Sequence, residues 1–122
     1  MPHADPVSWQ PISAIPLIAS MIDSALDDTR EHIATLAQAR TCPHVLDDAT
    51  IDRVEQVHAE QLELVNIYAQ QLRRWRTERP TPDQARDLDR MEKQNRQLRA
   101  VTADVLALAR ELRPGTIDRS WK

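Results

Sequence analysis

The sequence predicts an all-α protein, an up-down-up antiparallel three-helix bundle of long helices over about residues 13–41, 48–79 and 82–113. Three observations predict it. Between Pro16 and Pro114 the only prolines are Pro43, Pro80 and Pro82, and the single glycine, Gly115, lies beyond them. Helix interiors exclude both residue types, so this punctuation leaves three unbroken stretches. Within those stretches apolar residues recur at alternating spacings of three and four, the period of a helix with one buried stripe. The composition also disfavours sheet. Phe is absent, the aromatics are Trp9, Tyr68, Trp75 and Trp121, and one glycine cannot supply the turns that a small β-domain needs.

The elements follow in order. Residues 1–12 carry Pro2, Pro6 and Pro11 and form an extended arm. Helix 1 starts near Ser13 with Pro16 in its first turn, where N–H groups lack helical partners anyway. Its apolar stripe runs through Ile15, Ile18, Ile22, Leu26, Ile33 and Leu36, with Thr29 among them, and Pro43 ends it. Helix 2 begins at Asp47 or Asp48, and Asp47 as N-cap would set Leu46 and Ile51 in a hydrophobic staple. Its stripe is Ile51, Val54, His58, Gln61, Val65, Tyr68, Leu72 and Trp75. Arg73, Arg74, Arg76 and Arg79 crowd its last turns, where positive charge offsets the helix dipole. Thr81-Pro82-Asp83-Gln84 reads as a capping box that starts helix 3, and Pro114-Gly115 ends it. Its stripe is Leu88, Met91, Asn95, Leu98, Thr102, Val105, Ala109 and Leu112. Residues 114–122 form a short tail. The short links, about two residues between helices 2 and 3 and about five or six between helices 1 and 2, make neighbours antiparallel. One domain, residues 13–113, accounts for the bundle.

Several function classes are disfavoured by composition. A net charge of −3 is too small for a dedicated nucleic-acid or membrane protein, and the lone Cys42 cannot build a disulfide framework. A reducing cytoplasm is the expected setting. The apolar run at residues 11–22 is too short to span a bilayer, and Asp5 with no preceding Lys or Arg argues against a secretory leader. One glycine excludes a Gly-rich phosphate loop.

Four features carry functional expectations. Ile15, Leu17, Ile18, Met21 and Ile22 cover more than one face of helix 1, and Leu64 and Ile67 lie in a part of helix 2 that is apolar nearly all round. A helix apolar all round needs burial all round. Self-association, with a dimer the commonest form, is the expected repair, and these seven residues are the expected oligomer or partner interface. The alternative is that the arm folds back with Trp9 and covers a patch. Glu55 and His58 form an E-x-x-H on one helix face, the spacing of helical metal sites, with Glu31 or His32 as a further ligand. A solvated Glu55 and a seam His58 outweigh it, because one motif supplies too few ligands; no cofactor is expected. Cys42 and His44 share a loop without the further ligands a zinc site needs. Arg73, Arg74, Arg76, Arg79, Arg86 and Arg90 gather at the tip between helices 2 and 3, a possible grip on nucleic acid phosphates. Interleaved Glu78, Asp83, Asp87, Asp89 and Glu92 favour helical charge pairs instead. The polar seam positions Asn95 and Thr102 on helix 3 and His58 and Gln61 on helix 2 are expected either to fix register or oligomer state or to be partly exposed near a bundle edge. The leading expectation is a non-enzymatic, self-associating helical protein that binds a protein partner. Nucleic-acid binding at the basic tip and a metal centre at Glu55 and His58 are the alternatives.

Overall fold

A computed structural model describes residues 9–41 and 47–113. A single 3-10 turn, Ile12–Ala14, leads into three helices: α1 (Ile15–Gln38), α2 (Asp48–Arg76) and α3 (Pro82–Glu111). No strand occurs among the described residues. The helices pack as an up-down-up bundle. The start of α1 meets the end of α2 and the start of α3 around Ile15, Ile18, Ile22, Leu26, Tyr68, Leu72, Trp75, Leu88 and Met91. Leu36, Val105 and Leu108 close the opposite end, flanked by Val54 and Leu112.

Local chemistry sets the helix ends. Asp47 caps α2, accepting from the Thr50 N–H at 2.8 Å, and this bond holds its carboxyl below the usual carboxylate range. The Thr81 capping box is complete: Gln84 N–H donates to Thr81 Oγ1 at 3.1 Å, and Thr81 N–H donates to Gln84 Oε1 at 2.9 Å. Pro16 occupies the first turn of α1, which lacks a side-chain cap. The helix α2 stops at Arg76, three residues short of the expected end, and Arg79 takes a left-handed φ of 54°. Pro80 is the reason: its ring disfavours the α conformation of the residue before it. The left-handed region is itself unfavourable for a residue with a Cβ.

Most of the apolar surface that seemed surplus is consumed within the monomer. Ile15, Ile18 and Ile22, expected at an interface, are core residues and are unavailable to a partner. They pack in one cluster with Tyr68, Leu72 and Trp75 of α2 and Leu88 and Met91 of α3. Ile67 is half-buried on α2. The described end of the arm also docks. The Gln10 N–H donates to Gln71 Oε1 at 2.7 Å, and the Gln10 carbonyl accepts from Trp75 Nε1 at 3.0 Å. Arg74 lies over the Trp9 ring, 4.8 Å from its centroid. The fully buried indole of Trp75 thus has its N–H satisfied by the arm, as a buried tryptophan requires.

Helix α3 packs closely along both other helices, whereas the backbones of α1 and α2 approach each other less closely. The bundle therefore has one open face, between α1 and α2, and two closer ones.

Candidate functional site

Polar layers fill the interior where α1 and α2 stand apart. Gln61 on α2 donates from one amide nitrogen to Thr29 Oγ1 on α1 and to Thr102 Oγ1 on α3, both at 2.8 Å. Each threonine hydroxyl in turn donates to a carbonyl one turn back in its own helix, Ala25 or Leu98, at 2.6 Å. The two amide hydrogens and both hydroxyls are thereby used, and one side chain ties three helices at a fixed register. About one turn along, His58 Nδ1 donates to the Val54 carbonyl at 2.7 Å. Its Nε2 must then accept, and His32 Nδ1 stands 3.3 Å away. Burial pushes the His58 imidazole below its usual range; the bond to Val54 opposes this, and the nearby His32 adds to it. His32, Arg53, Val54, Val57 and His58 line a mostly apolar groove of about 190 Å³.

Among the described residues, the exposed large hydrophobic side chains fall on this same side. They are Leu17 (58% exposed), Met21 (42%), Val57 (47%) and Leu64 (38%). Val57 borders the histidine groove, and Leu64 follows it by two turns on the same flank of α2. Met21 precedes His32 by about three turns on the flank of α1 that faces α2, with Leu17 one turn before it. Asp28 and Glu60 lie among them, and neither has a cationic partner among the described residues. Of the seven interface residues expected from sequence, Leu17, Met21 and Leu64 remain exposed there; Val57 joins them and was not anticipated. Its place on α2 next to the His58 stripe was a usable signal.

Three of the six arginines expected at the basic tip are paired with carboxylates. Arg76 reaches across to Glu92 on α3 at 2.9 Å and to Asp89. Bonds to Glu92 and then Asp89 raise its guanidinium above the ordinary arginine range. Arg86 pairs with Asp83 and Arg90 with Asp87 within α3, as the interleaved charges predict. Arg74 covers Trp9, and Arg73 and Arg79 have no carboxylate partner among the described residues. Arg73 and two arginines of α3 that also lack a carboxylate partner among the described residues lie beside one groove. Arg73, Arg96 and Arg99 line a groove of about 220 Å³ between α2 and α3, with Ala69, Leu72, Glu92 and Asn95.

The E-x-x-H residues are engaged elsewhere. Glu55 and Asp52 hold Arg113, whose guanidinium is raised above its ordinary range by Asp52 first and Glu55 second. His58 directs Nδ1 at a backbone carbonyl. Among the described residues no group of three or more His, Cys, Asp or Glu side chains is placed to hold a metal ion. Cys42 and His44 lie outside the described residues. No described helix is long and apolar enough to cross a membrane. No protein-family model matches the chain, and no curated protein or solved structure is significantly similar to it, so a functional reading rests on the geometry of these faces.

Proposed function

We propose that this protein is a non-enzymatic helical interaction module that binds an amphipathic helix of another protein along its α1–α2 face. The observation that carries this reading is the gathering of Leu17, Met21, Val57 and Leu64 on the one side of the bundle where two helices stand apart. A helix laid there becomes the fourth member of a bundle and covers what three helices leave bare. Asp28 and Glu60, which have no cationic partner among the described residues, favour a partner whose apolar stripe is edged by Lys or Arg. Self-association through the same face is the competing occupant. It becomes less favourable wherever a two-fold axis brings Asp28 or Glu60 against its own copy.

The test uses two designed amphipathic peptides, one of Leu and Lys and one of Leu and Glu, added to the full chain. The Leu–Lys peptide is expected to bind and to shift the amide resonances of Met21, Val57 and Leu64. Binding should be lost in Leu17→Asp with Leu64→Asp, which circular dichroism should show to be folded. Equal binding by both peptides, or binding unaffected by the double substitution, removes the reading. Light scattering separates the competing occupant: a dimer that Leu64→Asp returns to monomer assigns the face to a second copy.

A further inference from the structure

His32 on α1 and His58 on α2 are titratable side chains that meet across the α1–α2 face. Their surroundings differ: His58 is 3% exposed, whereas His32 is exposed. The rings meet edge to face, with centroids 5.2 Å apart and planes inclined at 79°. Donor arithmetic limits what the pair can hold. A carbonyl oxygen only accepts, so His58 Nδ1, 2.7 Å from the Val54 carbonyl, carries a proton. In the neutral ring Nε2 is then an acceptor, and His32 Nδ1, 3.3 Å away, supplies the proton between them. One added proton has a place on His32 Nε2, the ring nitrogen outside the contact. The Nδ1–H of His32 still donates to His58, and the bond becomes charge-assisted. A second added proton has only His58 Nε2 left. It sets N–H against N–H and two cations against each other.

The surroundings offer that second charge little relief. On α2, Arg53 lines the same groove, and no carboxylate lines it among the described residues. Asp52 and Glu55 hold Arg113, which follows the end of α3. On α1, Asp28 and Glu31 flank His32 in sequence, but both are exposed to water, which screens them. On α3, the Thr102 hydroxyl one layer away is neutral and already bonded to Gln61. Burial opposes a charge on His58, the bond to Val54 favours one, and His32 opposes it again.

We infer that His32 and His58 form a proton-operated latch between α1 and α2, closed while the pair holds one added proton or none and opened by the second. The moving part is His32, because it is exposed and His58 is held by burial and by Val54. When it swings away, it leaves the groove wall that it forms with Arg53, Val54 and Val57. The two helices then lose a contact beside the Gln61–Thr29 bridge. The sign follows from the direction of the shift. A depressed proton affinity in the folded chain keeps the latch closed at neutral pH and opens it only below the ordinary histidine value of 6.5. A consequence for binding rests on the helix-docking reading proposed above. The open latch places a cation in that face, against a partner edged by Lys or Arg, so a docked helix is released at acidic pH.

The experiment follows the imidazole nitrogen and backbone amide resonances of the full chain from pH 8 to pH 4 at constant ionic strength, with a chelator present. At pH 8 the His58 proton is expected on Nδ1. The pair should then titrate as a coupled unit in two steps, the second at His58. The amides of His32 and Val57 should move with that second step while circular dichroism stays helical. His32→Gln, at an exposed position, should shift the His58 step to higher pH, because the opposing cation is gone and the Gln amide oxygen can accept from Nε2–H. A His58 step that is unmoved by His32→Gln overturns the inference, as do His32 and Val57 amides that ignore the step. Loss of helix in the same step overturns it too, since that is global unfolding rather than a latch. The Leu–Lys peptide supplies the second arm. Its affinity should fall by about tenfold across the second step, the worth of one hydrogen bond to a charged group. In His58→Gln this fall should be absent. A peptide that fails to bind at pH 8 while both steps and the moving amides are present removes the helix-docking reading and supports the latch. A peptide that binds equally on both sides of the step overturns the latch as a control on that face.

Discussion

Across the α2–α3 face, Arg76 reaches Glu92 and Asp89 near one end of the bundle, and toward the other end Arg113, just past the end of α3, reaches back to Asp52 and Glu55 on α2. Across the α1–α2 face no ion pair is formed among the described residues; Gln61 and Thr29 meet inside, as do His32 and His58. One helix, α2, thus serves two neighbours by two kinds of chemistry. Where backbones approach closely, aliphatic side chains fill the gap and charges pair at the rim. Where they stand apart, longer polar side chains bridge the interior and apolar residues are left at the surface. The difference separates the molecule into a face whose rim is closed by charge pairs and a face where large apolar side chains remain at the surface.

The strongest way to break this comparison is to remove the bridge. Gln61→Ala should destabilise the protein by about 1–3 kcal/mol, because it leaves a cavity and strips two threonine hydroxyls of a donor. Gln61→Leu restores most of the volume without the hydrogen bonds, and chemical denaturation of both variants separates the two contributions. If Gln61→Leu is as stable as the unaltered chain, the bridge fixes register rather than stability. In that event the α1–α2 face is held by packing after all, and the contrast with α2–α3 narrows to the rim.

A smaller effect comes from the histidine pair. Burial depresses the folded-state affinity of His58 for a proton relative to its ordinary value of 6.5. Above that value both folded and unfolded chains hold the neutral ring, and its contribution to stability is fully present. As pH falls below it, the unfolded chain takes up a proton that the folded one resists, so stability declines until the folded pKa is passed. The second proton would also sit on Nε2, facing His32, with the Arg53 cation lining the same groove. Denaturation midpoints at pH 8, 6 and 5 should therefore fall more steeply for the unaltered chain than for His58→Gln. Parallel curves would mean that His58 protonates freely and that the open face is wetter than its burial implies.

The helical architecture was legible in the sequence because it depends on local chemistry. Proline spacing marked the breaks, the Thr81 box and Asp47 cap marked two starts, and the three-four period identified the inward residues of α2 and α3, every one of which is buried or half-buried. The polar members of those stripes were visible too, although their partners were not. Which hydroxyl meets Gln61 depends on the axial register of three helices, and no single helix encodes that. Likewise, Asp83–Arg86 and Asp87–Arg90 follow from spacing within α3, but Arg76 finds its acids on a different helix. Overestimation of free apolar surface has the same origin. The sequence shows how many faces of α1 are apolar, and only packing shows that Ile15, Ile18 and Ile22 are covered while Leu17 and Met21 are not.

The smallest expected effect tests the closed face. Arg76 makes hydrogen-bonded pairs with two carboxylates, yet a third of its side chain remains exposed, and Asp89 is mostly in water. Solvent therefore screens much of the attraction, and Arg76→Ala should cost only about 0.5–1 kcal/mol at low ionic strength. The loss should shrink as salt is raised, because the screening length falls to about 3 Å at 1 M. Gln61→Ala should show no such salt dependence, since its partners are neutral. A double variant should be additive within about 0.5 kcal/mol if the two faces are independent supports. A larger coupling would mean that releasing the rim of α2–α3 lets α2 shift toward α1. The open face would then depend on the ion pairs of its neighbour rather than on its own polar bridge.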